Sequence, residues 1–283
     1  MRTLLTLSLT VAAVATGLWF HNQREEGPVT DHLDEFITLC ASPDFQDLHE
    51  HPLPYHHTSE VGKMISFPVV GGEEGMAYAL MAKETTNKYV FVIHEWWGLN
   101  GHIKREAEHL YESLEGKINV LALDLYDGEV GTTREEALAL VRGVDSDRLF
   151  AIIDGARAHA GDTAEIGTIG WCFGGGWSLQ ASIALGKQAA GCVIYYGRPE
   201  TDVDRLKTLE TDVLGIFGTQ DSGIPPSAVE AFEGHMEEAG KSLSVHNYDA
   251  GHGFANPSNP NYNEEAGDDA WAKAVAFLSS RLQ

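Results

Sequence analysis

The sequence predicts an α/β fold, a mainly parallel, doubly wound sheet flanked by helices. Three observations predict it. Residues 88–94 (KYVFVIH) and 119–125 are apolar runs of strand length without alternation, as expected of strands buried on both faces. Segments with helical spacing lie between such runs, so strand and helix alternate along the chain. A length of 283 residues suits one large core better than two small ones.

Residues 1–26 form the first region. Met1-Arg2-Thr3 and the apolar run over residues 4–20 have the basic start and hydrophobic stretch of an export signal. The small residues Ala13 and Ala15 suit a signal peptidase and predict a periplasmic or secreted chain; left uncleaved, residues 4–20 would anchor it in a membrane. Residues 27–61 read as an N-terminal extension, acidic and broken by Pro43, Pro52 and Pro54, with one short helix over 31–39. His49, His51, His56 and His57 lack the cysteine-histidine spacing of a structural zinc site and read as a solvated patch, so neither a metal nor a cofactor is expected.

Residues 62–283 read as the α/β domain. Alternating strands over 63–70 and 76–83, joined by a glycine-rich link, make an antiparallel entry to the sheet. Strand 88–94, a helix over 103–115, strand 119–125 and a helical region over 133–159, broken near Gly143, follow. Thr132 or Thr133 with Glu135 and Glu136 marks the start of that helical region. After the central elbow come strands 190–196 and 212–218, a helix over 227–239, strand 242–249 and a last helix over 264–282. Acidic residues outnumber basic ones 42 to 19, a net charge of -23, which disfavours nucleic acid and anionic membrane surfaces as partners. Three cysteines make no disulfide framework, although in an exported chain Cys40 and Cys192 are open to pairing with Cys172 left free.

Residues 165–179 (EIGTIGWCFGGGWSL) organise the rest. A β-branched approach reads as the end of a buried strand, and the apolar run from Phe173 reads as an opening helix. Between them Gly170-Trp171-Cys172-Phe173-Gly174 has the glycine-x-nucleophile-x-glycine pattern of a turn so sharp that its central side chain projects over the sheet edge. A phosphate loop fails because Gly175 is followed by Gly176 and Trp177, not Lys-Ser/Thr, and a dinucleotide loop fails because Cys172 takes the place of its second glycine. The thiol would sit at a helix N-terminus, which favours thiolate.

Asp221 follows strand 212–218 and His252 follows strand 242–249, so nucleophile, acid and histidine occur in that order on successive strand ends. The types fit one chemistry: His252 takes the thiol proton, Asp221 fixes its ring, and Cys172 attacks an ester carbonyl. The backbone N–H groups of Phe173 and of Trp96, in the loop after strand 88–94, are the expected oxyanion donors. Glu95 opens that loop and is expected to face the site. A metalloprotease motif is excluded, since the second histidine would fall on Gly98.

These residues resemble the dienelactone hydrolase family, cysteine-dependent members of the α/β-hydrolase fold. The resemblance rests on Glu95-Trp96-Trp97-Gly98-Leu99-Asn100, Asp124-Leu125-Tyr126, Gly170-Trp171-Cys172-Phe173-Gly174-Gly175, Tyr195-Tyr196-Gly197, Gly218 to Asp221 and Gly251-His252-Gly253-Phe254-Ala255, and it runs from about Gly62 to the C-terminus. It implies hydrolysis of carboxylic esters or lactones and gives Glu95 the role of contacting the resting thiol and helping thiolate form when substrate arrives. Members that open dienelactone hold its carboxylate with arginines, one of them four residues past the catalytic histidine, where this chain has Asn256. Arg134 is the candidate for another, with Trp97 and Tyr196 as further substrate contacts. The resemblance with this departure favours neutral or activated small esters. A non-catalytic binding protein on the same fold is the alternative, although it has no need of Asp221, His252 and Glu95 together.

Overall fold

The computed structural model describes residues 32–59 and 61–282; the export segment expected over residues 1–26 lies outside them. Helices α1 (His32–Cys40) and α2 (Pro43–Asp47) precede strands β1 (Lys63–Phe67) and β2 (Gly75–Leu80). The chain continues through β3 (Lys88–Ile93), α3 (Gly101–Ser113), β4 (Asn119–Asp124), α4 (Arg134–Gly143), α5 (Ser146–Ala160), β5 (Glu165–Trp171) and α6 (Phe173–Leu185). It ends with β6 (Ala189–Tyr195), α7 (Val203–Leu206), β7 (Val213–Gly218), α8 (Pro226–Glu238), β8 (Leu243–Tyr248) and α9 (Glu264–Arg281).

The strands form one sheet in the order β1-β2-β4-β3-β5-β6-β7-β8, antiparallel from β1 to β4 and parallel thereafter. The order reverses at β3, which has β4 on one side and β5 on the other. Right-handed crossovers leaving that point in opposite directions place helices on opposite faces. One layer joins α3 to α9, with Trp271 Nε1–H donating to Ser113 Oγ at 3.2 Å, and the other packs α5 on α6. Ligands bind such sheets at the carboxyl ends of the strands flanking the reversal. Glu95 lies just past β3 and Cys172 just past β5.

Covered on both faces, β4, β5 and β7 are buried almost throughout, whereas the edge strand β8 is only half-buried. Pro68 ends β1 short of the expected 70, since proline cannot donate to a ladder. Thr133 caps α4 in a box with Glu136, and α5 restarts after Gly143 on the side chain of Asp145, which accepts from Arg148 N–H at 2.8 Å. All three cysteines are free thiols. Cys40 ends α1 and Cys192 lies within β6, facing Ser178 Oγ at 3.6 Å, so the pairing open to them in the sequence is not made.

The extension packs into the same compact unit as the sheet. Phe36 of α1 meets Phe173 with ring centroids 5.4 Å apart, Leu53 N–H donates to the Ser258 carbonyl at 3.2 Å, and His102 Nε2–H donates to the Leu53 carbonyl at 2.7 Å. Helix α2 was not expected. Pro43, which reads as a breaker, occupies its first turn, where a missing N–H costs nothing.

Candidate active site

The chain leaves β5 and enters α6 through a single residue. Cys172 sits at φ 53°, ψ -114°, a conformation that costs a non-glycine residue on the order of 1–3 kcal/mol. Its neighbours hold it there: Cys172 N–H donates to the Tyr195 carbonyl at 3.0 Å, and its own carbonyl accepts from Gly175 and Gly176. Close approach explains the two motif glycines. A Cβ on Gly170 would lie 2.1 Å from the Gly174 carbonyl oxygen, and one on Gly174 2.2 Å from that of Ile93.

Asp221 leaves β7 on a tight turn in which its Oδ1 accepts from the N–H groups of Gly223 and Ile224 at 2.8 and 3.0 Å. Oδ2 is thereby aimed at His252, whose Nδ1–H donates to it at 2.7 Å. Nδ1 is thereby engaged, and Nε2 is left buried without a hydrogen-bond partner among the described residues, with one ring nitrogen within 4.8 Å of the Cys172 sulfur. Both side chains are buried.

Glu95 is buried too, and Asn256 Nδ2 donates to its Oε2 at 2.5 Å. Asn256 is itself fixed by Ser258, whose N–H and hydroxyl both donate to Asn256 Oδ1 at 2.7 Å. Burial pushes the Glu95 carboxyl up to about 7, against the opposing effects of His252 and the Asn256 bond. The residue before it ties the loop down. His94 Nδ1–H donates to the Glu95 carbonyl at 2.6 Å, and its Nε2 accepts from Leu125 N–H at 3.2 Å, joining the ends of β3 and β4.

The thiolate expected at a helix N-terminus is not favoured at rest. Burial pushes the Cys172 thiol well up and the nearby Glu95 charge adds to it, opposed by the Phe173 N–H. Desolvation outweighs the helix end because a buried thiolate loses all of its hydration, while the terminus offers one backbone donor.

The expected solvated histidine patch is overturned at His49. The His51 and His56 side chains are exposed, but His49 is buried, with its Nδ1–H donating to the Phe45 carbonyl at 2.8 Å and its Nε2 3.3 Å from Cys172 Sγ. Its ring lies 4.7 Å from both Trp96 and His252, and Phe45 lies 5.5 Å from His252. The extension therefore covers Cys172. His49 lies past the end of α2 and 123 residues from Cys172, so no local pattern in the sequence announced the contact.

Arg134 contacts the covering segment. Its Nε–H donates to the His49 carbonyl at 2.7 Å, and its Nη1 pairs with Asp47 at 3.1 Å, clamping the covering segment. Trp96 and Trp97 are buried against each other, 5.0 Å between centroids, at the start of the β3–α3 loop, and Phe173 opens α6. Tyr196, also at positive φ, stands with its ring 5.0 Å from His252. The structure thus brings Cys172, His252, Asp221, Glu95, Tyr196 and Asn256 to one end of the sheet and adds His49, Phe45 and His94.

The model of the dienelactone hydrolase family matches residues 76–282. Carboxymethylenebutenolidase 1 of Cupriavidus pinatubonensis is 29% identical over 225 residues, which cover 74% of this chain and 92% of the relative. A Methylorubrum extorquens protein named as a carboxymethylenebutenolidase is 30% identical over 208 residues, 65% of this chain and 69% of its own. A solved structure of a Klebsiella pneumoniae protein assigned as a dienelactone hydrolase has a TM-score of 0.69 at 24% identity, covering 77% of this chain and 98% of that one, a likeness of fold.

Proposed function

The chain belongs to the dienelactone hydrolase family, and from that premise we propose that it hydrolyses small neutral or activated carboxylic esters and lactones through an acyl-thioenzyme on Cys172. The observation that carries this reading is the Asp221–His252 pair at 2.7 Å, with its Nε2 left free beside a cysteine held on a strained elbow. His252 Nε2 takes the thiol proton as Cys172 Sγ bonds to the substrate carbonyl carbon, and the carbonyl electrons move to oxygen. The N–H groups of Phe173 and Trp96 receive that oxyanion. When the tetrahedral adduct collapses, the imidazolium returns the proton to the departing alkoxide. Water, deprotonated by His252, then cleaves the thioester and releases the acid.

The carboxylate of Glu95, placed by Asn256, helps draw the proton from the thiol when substrate arrives. Aromatic neighbours support the neutral-ester class: Phe45, Trp96 and Tyr196 surround His252 and His49, while Arg134 is occupied and Asn256 bonds Glu95. Export, with the chain periplasmic, secreted or held by residues 4–20, is proposed from the sequence; among the described residues no helix is long and apolar enough to cross a membrane.

Pre-steady-state hydrolysis of p-nitrophenyl acetate tests the nucleophile. A burst of phenolate approaching one per chain, followed by turnover, is expected, and Cys172→Ala should lose both. Equal rates from the two proteins would remove Cys172 from the reaction.

A further inference from the structure

His49, Cys172 and His252 form a grouping that ester hydrolysis leaves partly unused. The sulfur and one nitrogen from each ring all lie within 4.8 Å of one another, and all three residues are buried. Each ring is anchored from behind through Nδ1–H, His49 on the Phe45 carbonyl at 2.8 Å and His252 on the Asp221 carboxylate at 2.7 Å. Metal-binding histidines are generally oriented by such backing, which fixes the tautomer and turns the other nitrogen inward as a lone pair. Here two Nε2 lone pairs converge on one thiol that has a single proton to share. His49 accepts it at 3.3 Å, and His252 Nε2 has no hydrogen-bond partner among the described residues.

We propose that His49, Cys172 and His252 together bind one thiophilic divalent cation of the Zn2+ class, which ties up the nucleophile. Two neutral imidazoles and a thiolate are the donors such an ion prefers over oxygen-seeking Mg2+ or Ca2+. With Zn–S near 2.3 Å and Zn–N near 2.0 Å, a tetrahedral ion needs sulfur and nitrogen roughly 3.5 Å apart. The His49 contact at 3.3 Å already meets this, and the 4.8 Å bound on the others leaves small side-chain rotations to complete it. On binding, the thiol releases its proton to solvent, a metal–sulfur bond forms, and the fourth position stays open to water. Glu95 and Asp221 supply nearby negative charge. One ligand comes from the covering segment, so the site exists only while residues 43–49 are seated.

The cation site rests on geometry alone; only the inhibition it causes rests on the ester-hydrolase reading. The test is titration of the reduced full-length chain with Co2+, read by tetrahedral d–d absorption and the near-ultraviolet thiolate-to-cobalt band, with Zn2+ displacing it. One equivalent should give both signals. Cys172→Ser should abolish the thiolate band, and His49→Gln, which keeps bulk at the position, should weaken binding at least about tenfold while near-ultraviolet circular dichroism stays native. Absence of the thiolate band at one equivalent, or a His49→Gln titration like that of the wild type, would overturn the site. In parallel, Zn2+ should suppress p-nitrophenyl acetate turnover and a chelator restore it. A cobalt band from a chain that shows no turnover when metal-free would instead sink the hydrolase reading and leave the cation site standing.

Discussion

Glu95 is the residue whose environment departs furthest from what a carboxylate prefers, since it is buried and its charge is offset only in part by His252 and by one amide from Asn256. Its carboxyl is pushed from 4.5 to about 7, so between those values the folded protein holds more protons than the unfolded chain. Stability therefore falls as pH rises through that window and is level with respect to this group above it. The full contribution across the window is about 3 kcal/mol. Glu95→Gln, which keeps the shape and removes the titration, should flatten the fall in urea-denaturation free energy between pH 5 and pH 7 while lowering the rate of acylation. An unchanged slope would place the titrating group elsewhere. Only the position of Glu95 was readable from the sequence, because the end of an apolar strand says where a side chain emerges and not how dry its surroundings are.

At the scale of elements, the covering segment from α2 to His57 decides how reachable the proposed nucleophile Cys172 is. It is held by the packing of Phe45 and His49 and by point contacts: Arg134 to the His49 carbonyl at 2.7 Å and to Asp47, Leu53 to Ser258 and His102, and His57 Nε2 to Tyr78 Oη at 3.2 Å. Loss of one such contact, at about 1 kcal/mol, should raise the population of the open segment about fivefold. Arg134→Ala is accordingly expected to speed iodoacetamide capture of Cys172 by that factor. If Arg134 served instead to hold a substrate carboxylate, its loss would raise KM for anionic esters and leave alkylation unchanged. The strands, and the positions of the proposed triad at their ends, were legible in the sequence for a related reason. Strands buried on both faces leave unbroken apolar runs, and Glu95, Cys172 and Asp221 each lie within three residues of the end of one, while His252 lies four residues past the end of the half-buried β8. The contact between His49 and Cys172 spans 123 residues, and a five-residue helix is too short to leave a period, so nothing local records it.

The whole molecule carries a net charge of -23, and that field acts on any substrate before a side chain touches it. An anionic ester approaching the end of the sheet meets repulsion at long range, and at short range it meets Asn256 and a clamped Arg134 where carboxylate-binding arginines would serve. A neutral ester meets neither obstacle. Raising the ionic strength from about 0.1 M to 1 M contracts the screening length from about 10 Å to about 3 Å and removes most of the long-range part. The kcat/KM for p-nitrophenyl acetate should then stay within about twofold, while that for a p-nitrophenyl ester bearing a free carboxylate should start lower and rise by up to about tenfold. If the carboxylate ester were the better substrate at low salt, a local cationic contact would have to outweigh the field, and the neutral-ester assignment would fall.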